Sequence, residues 1–170
     1  MTFSDTARRM TRSASALLLA SALLSVPAHA QASDMAARNE AIVRQAFDKW
    51  AEGGNVFAEL LAPDVRWTIP GSGPVAGTYI GLKDFVERAS LPLVSRLATP
   101  IVPKVRHIWA IGDTVIVRFD GSATTTSGAP YANQFVWIFR MSNGVVREAE
   151  AFLDLVAYQQ VVDNNAPRAR

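Results

Sequence analysis

The sequence predicts an α+β domain, with helices first and an antiparallel sheet after them. Two observations carry that reading. Apolar residues recur at helical spacing up to about residue 98, then alternate with a period of two from Val102 to Phe152. The strand-like runs are separated by short turn signals, which joins neighbours as hairpins. Helices and strands segregated in this way should lay the helices over one face of the sheet.

The elements follow in order. "DMAARNEAIVRQAFDKWAEGG" is an amphipathic helix whose apolar face is Ile42, Val43, Ala46, Phe47 and Trp50, stopped by Gly53 and Gly54. "VFAELLAPD" reads as a second, short helix ended at Pro63, and "VRWTI" as a short strand. "PGSGPVAGTYIG" is a turn-rich connection. "LKDFVERASLPLVSRLA" is a third helix, which Pro92 should break or kink after Ser90. Four strands follow at about Val102–Ile111, Thr114–Thr125, Tyr131–Met141 and Val145–Phe152, with tight turns at Gly112-Asp113 and Asn143-Gly144. "DLVAYQQVVD" closes as a short helix, and "NNAPRAR" reads as a frayed tail. Some strands are apolar on both sides: Phe135, Trp137 and Phe139 share one, Val136 and Ile138 the other. Either the second face is buried too, as in a homodimer, or a large twisted sheet simply carries spare apolar residues on its outer face.

The first thirty residues read as a cleaved export signal. Arg8, Arg9 and Arg12 precede the apolar "SASALLLASALLSV", and "AHA" at Ala28 to Ala30 is a cleavage site. The apolar run is too short to span a bilayer. The mature protein, residues 31–170 with an ordered core at about 36–162, is then one domain, periplasmic or secreted, with no membrane attachment. The leader holds three Arg and one Asp, so the rest carries 14 basic and 14 acidic residues and is formally neutral. No basic patch argues for nucleic acid. There is no Cys, and His107 alone remains after cleavage, so no metal site and no cofactor are expected. "PGSGP" lacks the spacing of a nucleophile elbow.

One strand draws a functional question. In "TVIVRFDGSA", Arg118 and Asp120 stand two residues apart and so share a face. That face is either an exposed surface carrying an ion pair or the inside of a reactive pocket. Trp50, Trp67, Phe135 and Trp137 could line a pocket for a flat apolar ligand or simply fill a core, and the small Ala149 and Ala151 leave space on the last strand. Asn133 is either a polar handle in that pocket or a strand-end residue bonding backbone.

Two segments, "RQAFDKWAEGGNVFAELLAPDVRWTIPGSGPVAGTYIGLKDFV" and "GAPYANQFVWIFRMSNGVVREAEAFLD", resemble the SnoaL-like branch of the nuclear transport factor 2-like superfamily. The resemblance implies a cone, in which a curved antiparallel sheet wraps about three N-terminal helices and a mostly apolar pocket opens between them. It also offers chemistry to compare. The ketosteroid isomerases of this group place a carboxylate base, a tyrosine and a protonated aspartate where this chain has Ile69, Phe47 and Trp137. Enolisation needs such a base and donor, so that activity is not expected. Limonene epoxide hydrolase carries an Arg-x-Asp where Arg118 and Asp120 stand. Its second acid corresponds to Ala151, and its two water-holding residues to Trp67 and Ile69.

Together, the leader and the resemblance imply an exported protein with a pocket formed by Phe47, Trp50, Trp67, Ile69, Asn133, Phe135, Trp137 and Ala151. Arg118 and Asp120 would be its catalytic pair, in acid–base or water-addition chemistry on a small hydrophobic molecule. Two alternatives stand beside that reading: a non-catalytic binder of a hydrophobic ligand, and a dimeric protein-interaction module.

Overall fold

The computed structural model describes residues 28–169. The expected export signal at residues 1–30 lies outside them, apart from the backbone of the first turn of α1. Helix α1 (Ala28–Ala51) buries Val43, Ala46 and Phe47, the stripe its periodicity dictates, against the sheet. It ends where expected, with the Gly53 amide bonded to the Trp50 carbonyl and Gly53 at φ +99°. Helix α2 (Val56–Leu60) starts on Asn55, whose Oδ1 accepts from the Phe57 and Ala58 amides.

Strand β1 (Leu61–Ile69) begins earlier than the sequence suggests. Leu61 to Asp64, expected in the second helix, are extended because Pro63 cannot continue a helix and Leu61 pairs with Val146 far along the chain. Strand β2 (Gly77–Ile80), expected as part of a connection, pairs antiparallel with Arg66–Ile69. The third helix bends its rules rather than breaking. Helix α3 (Leu82–Phe85) runs into a π-helical turn at Val86–Ser90 and then α4 (Leu91–Val94). Pro92 has no amide hydrogen, and its ring would collide with the Arg88 carbonyl in a regular helix. The widened turn, in which the Leu91 amide reaches back to the Val86 carbonyl, absorbs the misfit without a break at Ser90.

Strands β3 (Val102–Ile111), β4 (Thr114–Thr124), β5 (Pro130–Ser142) and β6 (Val145–Phe152) form an antiparallel meander close to the expected bounds. The six strands make one curved, unclosed sheet in the order β2-β1-β6-β5-β4-β3. The sheet is not wholly antiparallel, since β1 runs parallel to β6. No local turn could signal that pairing. On the inner face Val115, Val117, Phe119, Phe135, Trp137 and Phe139 are buried. The outer face alternates with them and keeps Trp109, Ile111 and Phe152 exposed. This outer face is the one that the expected homodimer would cover.

Helix α5 (Leu155–Asn164) is capped by Asp154, whose Oδ1 accepts from the Val156 and Ala157 amides. The tail beyond it is not frayed. The Asn165 carbonyl accepts from Arg96 Nε, the Ala166 carbonyl from Thr126 Oγ1, and the Arg168 amide donates to the Ser95 carbonyl. Three backbone groups tied to two neighbouring segments outweigh the polar composition that suggested disorder.

Candidate functional site

Arg118 and Asp120 do share a face of β4, and it is the outer one. Phe119 between them is fully buried, together with Val115 and Val117, so strand geometry sends Arg118 and Asp120 to the opposite side. Their expected place inside the pocket is thus corrected: the apolar residues of β4 won the core because burying them is worth more than burying an ion pair. Arg118 Nη1 donates to Asp120 Oδ1 at 2.6 Å. A β-bulge between Val105 and His107 adds Arg106 to the same face, where its Nε donates to Asp120 Oδ2 at 2.7 Å. The hydrogen bonds from Arg118 and then Arg106 hold the Asp120 carboxyl below the usual carboxylate range. A carboxylate so engaged by two guanidinium groups is a poor base. Glu150 also stays outside, exposed between Thr68 and Ile138.

The inner face builds a cavity instead. A cavity of about 360 Å³ lies between the sheet, α2, the π-bulged helix and α5. Its buried end is formed by Trp67, Ile69, Phe135, Trp137 and Ala151, all expected to line a pocket, and Trp50 stands partly exposed at its side. Gly54, Asn55, Leu91 and Pro100 are exposed and mark the mouth. The volume falls in the range of small-ligand pockets. Trp137 does not plug it: its ring stacks on Trp50 at 5.7 Å, 7° from parallel, and meets Trp67 edge-on at 5.2 Å.

Two expected pocket residues lie elsewhere. Phe47 sits behind the wall, packed edge-on against Phe119 and Trp137. Asn133 bonds backbone, its Nδ2 donating to the Asp154 carbonyl and its Oδ1 accepting from the Asp154 amide. It ties β5 to the start of α5. Other lining residues escaped the sequence reading, among them Phe57, Phe85, Ala89, Ile101 and Tyr158. Phe85 and Ala89 lie on the buried side of the third helix, a signal that was available.

Among the described residues lining the cavity, Tyr158 is the one ionisable side chain. Its hydroxyl donates to the Ala89 carbonyl at 2.8 Å, and burial pushes its pKa up. Burial likewise raises Tyr131 to about 12, with Asn133 opposing. Both tyrosines hold their protons in the folded state above the pH at which an unfolded tyrosine loses its own. These two tyrosines therefore leave stability unchanged below pH 10, and it is expected to fall as pH rises from there through about 12. Tyr131 alone accounts for roughly 2–3 kcal/mol of that loss. Urea titrations across that window check it, and Tyr131→Phe should flatten the slope.

A family model described as a SnoaL-like domain matches residues 43–149. Among solved structures, Bal32a from a soil-derived mobile gene cassette is 20% identical over 75% of this chain and 98% of its own, with a TM-score of 0.62. A putative SnoaL-like polyketide cyclase from Jannaschia sp. CCS1 is 18% identical over 78% of this chain and 96% of its own, with a TM-score of 0.59. TerC co-crystallised with polyporic acid is 22% identical over 75% of this chain and 99% of its own, also with a TM-score of 0.59. At these identities the likeness is one of fold. No curated protein matches the sequence.

Proposed function

The chain belongs to the SnoaL-like domain family, and from that premise we propose that it binds a flat, hydrophobic small molecule inside its cone without transforming it. The fold is compatible with isomerase- or cyclase-type activity, and one structural neighbour is named as a putative polyketide cyclase. Function nevertheless belongs to the site rather than to the fold.

The observation that carries the proposal is the cavity wall. It combines stacked and edge-on aromatic rings with aliphatic side chains, and its one ionisable group is a tyrosine already committed to a backbone carbonyl. Acid–base or water-addition chemistry needs a group there to take or give a proton. The candidate pair, Arg118 and Asp120, lies across the thickness of the sheet, on the far side of Phe119. Ala151, where a second acid would complete an epoxide hydrolase, adds only space.

Calorimetric titration of the chain from Gln31 with indane, a flat bicyclic hydrocarbon, tests the binding. The expected Kd is on the order of 10 µM. Indene oxide and 1-indanone incubated with the protein should be recovered unchanged. Absence of heat with indane would sink the binding reading. Conversion of indene oxide above the protein-free rate would replace it with a catalytic one.

A further inference from the structure

Trp67 Nε1 is a buried hydrogen-bond donor with no partner, and among the described residues it is the one buried side-chain polar atom in that condition. Its neighbours show how uncommon this is in the molecule. The Tyr79 hydroxyl donates to the Val75 carbonyl at 2.7 Å, the Tyr158 hydroxyl to the Ala89 carbonyl, and Asn133 is bonded through both ends of its amide. A buried indole N–H ordinarily finds an acceptor, and leaving one unmade is costly. An exception in an otherwise satisfied interior calls for a cause.

The surroundings supply no acceptor of their own. Trp67 projects from the inner face of β1, 1% exposed, into the buried end of the cavity wall. Phe85 stacks on it at 4.1 Å, and Phe57 and Trp137 meet it edge-on at 5.7 Å and 5.2 Å. Aromatic faces are weak acceptors. A lone water would serve poorly too, since a buried water needs two to four polar partners and this wall offers few. The mouth lies at Gly54, Leu91 and Pro100, so whatever reaches Trp67 enters from there and presents its leading end to the indole.

Building on the binding reading above, we infer that the ligand carries a hydrogen-bond acceptor, a ring carbonyl or a chemically equivalent oxygen, at its leading end, and that Trp67 Nε1–H is the donor that recognises it. The ligand class is then a flat hydrophobic molecule that bears an oxygen acceptor rather than a plain hydrocarbon. Trp67 is itself part of the cavity lining, beside the space the ligand would fill. The oxygen gains the one donor that no protein group uses, and the rest of the ligand replaces apolar space.

A matched pair of probes tests this: 1-indanone and indane, which differ by the carbonyl. Trp67→Phe keeps a ring in the wall and removes the donor. It is expected to weaken 1-indanone about tenfold while indane stays within about twofold. Equal weakening of both, or of neither, overturns the inference. Loss of indane binding in the wild type would instead remove the binding reading on which it rests. Should Trp67→Phe fail to fold, the wild-type chain still decides. Its four indole N–H signals, from Trp50, Trp67, Trp109 and Trp137, can be followed by nitrogen–proton correlation. A downfield shift of the Trp67 signal with 1-indanone, absent with indane, supports the donor role. An unmoved signal with bound ketone overturns it.

Discussion

Trp137→Ala is expected to lower the unfolding free energy by about 3–5 kcal/mol. The side chain is 5% exposed and stands where helix, sheet and cavity meet. Phe47 meets it edge-on from α1, and Trp50 stacks on it from the same helix. Phe119 at 4.8 Å and Phe135 at 6.3 Å flank it on the sheet, and Trp67 lies across from it. Removing the indole takes away both its transfer free energy and one side of each of these contacts. The space left behind joins the existing cavity and cannot collapse, because the opposing wall is already held open. The denaturation midpoint should fall with an unchanged slope, as expected for a loss of stability in a two-state domain. A loss under about 1 kcal/mol would mean that the aromatic cluster is not what joins helix to sheet.

Gly121→Val is expected to cost about 1–3 kcal/mol, although valine ordinarily favours a strand. A Cβ at this position would come within 2.9 Å of Phe135 Cε2 and 3.0 Å of Ile101 Cγ2. Neither side chain can yield freely. Phe135 is stacked on Phe119 at 4.7 Å and 7° from parallel, and Ile101 forms part of the cavity wall. The ring must then move toward the cavity, so indane binding should weaken along with stability. Ser122→Val, one residue along on the outer, exposed side, is the control and should stay within about 0.5 kcal/mol. Equal effects at the two positions would show that backbone propensity, and not the approach of Phe135, governs this strand.

The meander β3–β6 was legible because each of its turns is local and its strands are long, apolar runs bounded by turn residues. Gly112-Asp113 and Asn143-Gly144 mark their own turns, and Asn143 and Gly144 take the positive φ that the tight turn requires. The first half of β1 and all of β2 were not legible, because Leu61 becomes a strand residue through Val146 and not through its neighbours. The π turn before Pro92 was foreshadowed only as a disruption; whether a helix breaks or widens depends on what packs around it. For the site, the aromatic wall could be read from Trp50, Trp67, Phe135 and Trp137. The orientation of Arg118 and Asp120 could also be read, since the side of β4 carrying Val115, Val117 and Phe119 is the more apolar. Correspondence with an epoxide hydrolase pointed the other way, and the burial free energy of three apolar side chains outweighs it.

The parallel pairing of β1 with β6 sets an order on assembly. The hairpins from β3 to β5 can form as soon as they are made, because their partners are adjacent in the chain. Strand β1 emerges early but has no inner neighbour until β6 exists, and α5 follows later still. Such distant pairings close slowly, since the loop entropy is lost before any contact is gained. Until then Trp67 and Ile69 on one side and Ala151 and Tyr158 on the other are not yet walls of anything. The cavity is thus the last part of the described fold to form, because its wall waits for both β6 and α5.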